Sequence, residues 1–345
     1  MEKITSIFKP VTLQALCILL LTVALFSSCN PGSHHETSAK TEENSEKART
    51  AVPDFNADSA FSYVRHQVAF GPRVCNTPAH EKCGDYLANR LRTVCKDVII
   101  QKGKVKAYNG TLLNFSNIIG SFRPELSNRI LLCSHWDSRP YADQDPDPKN
   151  HNKPIDGAND GASGVGVLLE IARQLSMSPS PVGVDILILD AEDYGPPEDK
   201  ETTEDTSDWW GLGAQYWAAH PHKTNYAARY GILLDMVGAT DATFLMESFS
   251  MKYAPSIVKS VWSTAWQAGY SRFFPEEEGL PITDDHLFIN KIINIPTIDI
   301  IHLDRNSKTG FTPSWHTLKD NISVIDKNTL KAVGQTLLTV IYQEK

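Results

Sequence analysis

The sequence predicts an α/β protein, a three-layer sandwich with a central mixed, largely parallel sheet flanked by helices. Short, continuous aliphatic runs such as Ile130-Leu131-Leu132-Cys133 and Ile186-Leu187-Ile188-Leu189 lack polar alternation, which is how strands covered on both faces read. Between such runs stand stretches in which apolar residues recur at helical spacing, as Leu168, Ile171, Ala172 and Leu175 do. Strands alternating with helices build layered sheets. The 345 residues are 41% hydrophobic and 21% charged, enough for one large core. A net charge of −8 offers no basic face to nucleic acid, and suits a free solute or the cationic end of a peptide better.

Taken in order, residues 1–28 join Lys3 and Lys9 to an apolar stretch, 13–25, and a small-residue end, Ser27-Ser28, before Cys29. That is the build of a secretory signal, and the cysteine at its end resembles a bacterial lipoprotein signal, with the lipid on Cys29. The apolar run is shorter than the ~20 residues a membrane span needs. Residues 29–52 are rich in Ser, Glu, Lys and Thr and read as a flexible tether. The expectation is an exported protein, lipid-anchored to a bacterial membrane, with a single folded domain over 53–345 outside the cytoplasm. In such an oxidising compartment the even set Cys75, Cys83, Cys95 and Cys133 invites pairing. Cys83 and Cys95 lie too far apart along one helix for a bond. Cys75 and Cys83 can reach each other, and Cys133, inside a strand, reads as a buried small hydrophobe.

Helical patterns cover 60–68, 79–94, 164–175, 213–219, 256–268 and 328–342. Strands are expected at 98–100, 117–119, 130–133, 184–189, 232–234, 244–246 and 297–301. The polar loops at 140–156 and 195–209 read as excursions from one domain. The turn 156–164, Asp-Gly-Ala-Asn-Asp-Gly-Ala-Ser-Gly, leads straight into a helix, so Asp160 and Ser163 are expected to cap it.

In an open α/β sheet the ligand site lies beyond the carboxyl ends of the strands. Those ends carry His135-Trp136-Asp137, Asp190-Ala191-Glu192-Asp193, Asp235-Met236 and His302, and loops add Asp160 and Ser314-Trp315-His316-Thr317. Mixed nitrogen and oxygen donors with an open position are the ligand set of catalytic zinc. Glu192 and Asp193 point apart as neighbours on extended chain, so one can bind metal while the other works as acid or base. Neither Gly161-Ala162-Ser163-Gly164 nor Gly161-x-x-Gly164-x-Gly166 has the spacing of a nucleophile elbow or a dinucleotide loop.

The ordered motifs His135-Trp136-Asp137, Gly157 to Gly164, Asp190 to Asp193, Leu234 to Ala239, Asp284-Asp285-His286 and Trp315-His316-Thr317 resemble the zinc-dependent aminopeptidase and glutaminyl cyclase superfamily over residue 60 to the C-terminus. Trp315-His316, and Asp284-Asp285-His286 followed by Ile295-Pro296-Thr297-Ile298, lean toward the cyclase branch. The resemblance implies one zinc on Asp160, Asp193 and His316. It implies Glu192 as the proton shuttle, Asp235 on the substrate α-amine, Asp284 in the hydrogen-bond network and Trp315 on the pocket wall. The substrates would be N-terminal Gln peptides or proteins, closed to pyroglutamate with loss of ammonia. The aminopeptidase reading uses the same residues, with His135 and Asp235 on a second metal, Asp160 bridging and Glu192 activating water. A third reading is a lipoprotein that binds peptides without turnover. Where many relatives carry two glutamates, this chain has Glu192-Asp193. His286, Asp299 and His302 are expected to support the site without binding metal, and Trp209-Trp210 to roof it or simply to pack.

Overall fold

A computed structural model describes residues 51–197 and 206–345; the expected signal and tether, 1–50, and part of the acidic loop lie outside the described residues. Eight α-helices and six strands follow in the order α1 (Ala57–Val68), α2 (Pro78–Arg92), β1 (Asp97–Lys106), β2 (Leu112–Phe122), β3 (Arg129–His135), α3 (Ala162–Met177), β4 (Gly183–Leu189), α4 (Leu212–Ala219), β5 (Gly231–Asp235), α5 (Ser248–Tyr253), α6 (Pro255–Gln267), α7 (Asp285–Phe288), β6 (Thr297–Ile301) and α8 (Lys327–Gln343).

The sheet order is β1-β2-β4-β3-β5-β6. β4, β3, β5 and β6 run parallel, while β2 pairs antiparallel with both β1 and β4, so the sheet is mixed and largely parallel as expected. Every residue of β3, β4, β5 and β6 is buried, which is why these strands read as unbroken apolar runs. Alternate residues serve opposite faces. Ile130, Leu132, Ile186, Ile188, Ile232, Leu234, Ile298 and Ile300 join the large core with α1, α2, α3, α6 and α8. Leu131, Cys133, Leu187, Leu189 and Leu233 pack with Ala214, Trp217 and Phe288 of α4 and α7. The three layers follow from that alternation.

Some expectations change. Residues 244–246 do not form a strand: Phe244 makes a single bridge to His302 and Met246 one to Glu278, while the Phe244 ring packs into the core against Phe274 and its carbonyl accepts from Trp262 Nε1. Cys75, Cys83, Cys95 and Cys133 are all free and buried, so Cys75 and Cys83 do not pair, and Cys133 packs in the core as a small hydrophobe. Asp160 does not cap α3. The N-cap is Gly161, at φ 87° and without any side-chain cap bond, and Ser163 Oγ donates to the Asn159 carbonyl instead. Helix α5 and the short α7, which continues into a π-turn at Ile289–Ile293, had no clear apolar period to announce them.

Candidate active site

The parallel strands deliver their ends to one place. β3 ends in His135, β5 ends in Asp235, and β4 is followed by Asp190, Ala191, Glu192 and Asp193. Just past these ends the backbone takes left-handed turns at Ala191 (φ 55°) and Met236 (φ 50°), and His316 itself sits at φ 52°. Such conformations cost a non-glycine residue about 1–3 kcal/mol each and persist where the surroundings over-determine them. Here they aim side chains at a common cavity.

The glycine turn is held by groups far away in sequence. Arg73, fully buried, donates to the carbonyls of Asp156, Gly157 and Trp136. Asp320 accepts the backbone N–H of Asn159 at 2.8 Å and of Asp160 at 3.0 Å. Gly157, at φ 56°, has no room for a Cβ beside Ser138 and Arg73. In the same way Asp137 accepts the N–H of Glu192 at 3.1 Å and of Asp193 at 3.2 Å. Two buried carboxylates thus fix the backbones that carry Asp160, Glu192 and Asp193.

His316 Nε2 lies 3.6 Å from Asp160 Oδ2 and 3.5 Å from Asp193 Oδ1. His135 Nε2 is 3.1 Å from both Asp160 Oδ1 and Asp235 Oδ1. Asp160 is therefore common to two buried triads of donors. Zinc bonds of ~2.0–2.1 Å in a tetrahedral site set ligand atoms about 3.3 Å apart, so the Asp160, Asp193 and His316 spacing fits that ion. Asp193 Oδ2 is buried with no hydrogen-bond partner, as expected of an oxygen meant for a cation. The other nitrogen of His316 is 3.5 Å from Asp143 Oδ1, the carboxylate–imidazole arrangement that orients a ligating histidine.

Electrostatics agree. Burial and Arg139 push the His316 imidazole down, but Asp193 and Asp143 outweigh them and hold it at about 9. Burial raises Asp193 to about 6, helped by Asp160, and raises Asp235 to about 7 against the His135 hydrogen bond. Glu192 is pushed well above the ordinary carboxylate range by burial and by Asp193 and Asp284, with His135 opposing. Acids so crowded are uncomfortable as neighbours unless a cation or a proton sits among them.

Asp160, Glu192, Asp193, Asp235, Asp284, Trp315 and His316 all line one cavity of about 230 Å³, so the seven residues given a metal, catalytic or substrate role are brought together. Trp315 stacks on His316 with centroids 3.7 Å apart, and Trp210 lies parallel to the same ring at 6.4 Å. Trp210, Met236, Ile282 and Phe311 complete the apolar wall. His302 does not join them: it pairs with Phe244, and burial drives its imidazole down to about 4. Asp190 also turns away, to His80 at 2.8 Å. The sequence reading missed Arg139, which reaches Asp193 Oδ1 at 3.4 Å and pairs with Asp143 at 2.6 Å. It also missed the anchoring roles of Asp137 and Asp320. The Arg139/Asp143 spacing of four was the one available hint, and it lies in a segment read as loop.

A mixed α/β sheet whose strand ends gather carboxylates and imidazoles around a small cavity is the architecture of a zinc-dependent α/β enzyme. Residues 117–341 match the family model of peptidase family M28, and the chain belongs to that family. It is similar to a Bacteroides thetaiotaomicron glutaminyl cyclase solved with N-acetylhistamine, at 56% identity over 86% of this chain and 100% of that one, TM-score 0.83. It is equally similar to a zinc-dependent exopeptidase from Parabacteroides distasonis, at 56% identity over 85% and 100% of the two chains, TM-score 0.83. Glutaminyl-peptide cyclotransferase of Drosophila melanogaster is 26% identical over 74% of this chain and 72% of its own length.

Proposed function

We propose that this chain is a glutaminyl-peptide cyclotransferase that closes the N-terminal Gln of peptides and proteins to pyroglutamate with release of ammonia. The observation that carries this reading is the cavity. At about 230 Å³ it is smaller than the roughly 300–1,000 Å³ of clefts that take drug-sized ligands, a size suited to one terminal residue, and Asp160, Glu192, Asp193, Asp235, Asp284 and His316 line it. The relatives named glutaminyl cyclase and glutaminyl-peptide cyclotransferase support the same reading.

Asp160, Asp193 and His316 would hold one zinc, which when bound would polarise the γ-carboxamide of the terminal Gln. A single ion follows the cyclase reading; His135, whose Nε2 lies 3.1 Å from both Asp160 and Asp235, is where the two-metal alternative would place a second. Asp235 accepts a hydrogen bond from the neutral α-amine of the substrate. Glu192, whose carboxylate is raised in basicity by burial, takes the proton that the α-nitrogen loses as it attacks the amide carbon and passes it to the departing nitrogen, so one proton moves and ammonia leaves. Asp284 shares the hydrogen-bond network on the wall beside Asp235. Trp315, Trp210, Ile282 and Phe311 exclude water while attacker and target, both in one residue, are bent into a five-membered ring. We also propose export and anchoring by a lipid on Cys29, supported by the composition of residues 1–52; Cys29→Ala would then release the protein from the membrane fraction.

The test is a paired incubation with a Gln peptide and Leu-amide. Ammonia loss from the first with one zinc per chain supports the cyclase; amine release from the second with two metals replaces it with the aminopeptidase. Glu192→Gln is expected to cut cyclisation by about 10²–10⁴-fold with zinc retained.

A further inference from the structure

One wall of the catalytic cavity rests on a cation that the reaction as drawn does not use. Arg139 is completely buried. Its Nε and Nη2 donate to the two oxygens of Asp143 at 2.9 and 2.6 Å, and Nη2 also donates to the Pro196 carbonyl at 3.0 Å. Nη1 donates to the carbonyl and to Oδ1 of Asp193 at 3.3 and 3.4 Å. A guanidinium carries five N–H groups in one plane, and these five bonds engage them all. Its faces remain, and the guanidinium carbon stands over the Trp210 ring, 4.8 Å from the ring centre, inside the ~6 Å over which a cation and an aromatic face attract.

The same bonds build the seat of that ring. The Asp193 and Pro196 carbonyls bracket Gly195 in the chain, and a Cβ on Gly195 would collide with the Trp210 indole, so the indole lies against bare backbone. Trp210 in turn lines the catalytic cavity and runs parallel to the His316 ring at 6.4 Å. Other bonds hold its main chain: the Trp210 carbonyl accepts from Gln215 at 2.8 Å, and the Gly211 N–H donates to the Glu192 carbonyl at 3.1 Å. They place the backbone and not the ring. A cation needed only to neutralise Asp143 and Asp193 would require no flat face, and a lysine would serve; a site that is both forked and stacked is one where arginine and lysine are not equivalent.

We propose that Arg139 is a positioning residue that sets the Trp210 indole as a wall of the catalytic cavity, by stacking on it and by holding the Gly195 backbone against which it lies. The width left for the terminal side chain of the substrate is then fixed from behind the wall. Only the kinetic consequence rests on the cyclase reading.

The decisive measurement needs no turnover. The tryptophans of the zinc-loaded, substrate-free protein are replaced by fluorotryptophan, and the Trp210 fluorine resonance is assigned by its loss in Trp210→Phe. Arg139→Lys, which keeps a cation beside Asp143 and Asp193, is expected to shift and broaden that resonance with zinc content unchanged; a resonance that stays in place overturns the proposal whatever the enzyme turns over. Gly195→Ala, which leaves the guanidinium intact, should move the same resonance. In kinetics, Arg139→Lys should raise KM for a Gln peptide about 3- to 30-fold with kcat within about threefold, because a wall that holds substrate and transition state alike acts on KM. In a Trp210→Leu background the Lys change should cost nothing further. An equal loss with and without the indole, or loss of zinc from Arg139→Lys, would make Arg139 simply the partner of the two carboxylates and sinks the idea. Should Arg139→Lys fail to fold, the reciprocal variant decides: in Trp210→Leu the Arg139 guanidinium protons, shielded by the indole in the wild type, are expected to move downfield, and unmoved protons rule the stack out.

Discussion

Two buried triads look alike on paper. Asp160, Asp193 and His316 form one; Cys75, His80 and Asp190 form the other, and both bring their donor atoms within 4.8 Å. The second is spent. Asp190 Oδ1 accepts from His80 at 2.8 Å, from the Ala191 N–H at 2.8 Å and from the Cys75 thiol at 3.6 Å, while Oδ2 takes the Ser116 N–H at 2.6 Å. Burial holds Cys75 far up as a thiol, and it is the thiolate that binds metal. His80 stacks on Trp136 at 4.3 Å. A cavity of about 520 Å³ opens against His80 and Trp136, more than twice the volume at the first triad, so size does not mark the site. What distinguishes the first triad is an unspent oxygen on Asp193 and backbones pinned from elsewhere, so that its lone pairs face the cavity and not one another.

That comparison can be broken by substitution. The largest expected effect is His316→Ala, which removes a zinc donor and should abolish both bound zinc and cyclisation, whereas His80→Ala should leave zinc stoichiometry and kcat near wild type; loss of zinc from His80→Ala would show the second triad to be the metal site. Next comes stability. Removing His80 strips Asp190 of its strongest partner in a dry interior and is expected to cost about 3–5 kcal/mol of unfolding free energy, read from denaturant midpoints; a change under about 1 kcal/mol would mean the pair is not structural.

A pH effect follows in size. In the metal-free protein, Asp193 at about 6, Asp235 at about 7 and Asp320, also raised by burial to about 7, all lie above their ordinary range, and so does His316 at about 9. Raised groups favour the fold while protonated, so their contribution is complete below their unfolded values and is lost as pH climbs, through about 4–7 for the acids and about 6.5–9 for His316. Zinc replaces those protons at the ligands. The Tm gap between zinc-loaded and chelator-treated protein should therefore widen from pH 5 to pH 9, and a constant or shrinking gap would contradict the ligand assignment. The smallest effect is expected for Cys75→Ser, within about 1.5 kcal/mol and with activity unchanged, since the thiol is one of several donors to Asp190.

Much of this was legible in the residues. The strand runs gave away the sheet because strands buried on both faces cannot alternate, and Asp160, Glu192, Asp193 and Asp235 could be singled out because strand ends and a glycine turn are local features, whereas the roles of Asp284, Trp315 and His316 came from the resemblance of their motifs. His302 misled for the same reason: it follows a strand as the others do, but nothing in its neighbourhood reveals that its backbone bridges to Phe244. Residues 244–246 carry a strand's composition, and only the partners available to the Phe244 ring turn them into core.

The amino-acid order by itself determined which side chains stand at the ends of the parallel strands, since apolar period and turn residues are properties of neighbours. It also put the donor types of a zinc site there. Tertiary structure alone decided which of those groups still have lone pairs to offer. Asp137 and Asp320 lock the backbones of Glu192, Asp193 and Asp160 from 55 to 160 residues away, and Asp190 is consumed by His80. Hydrogen-bond satisfaction is settled by who arrives within about 3 Å, and a chain read along its length does not show who that will be.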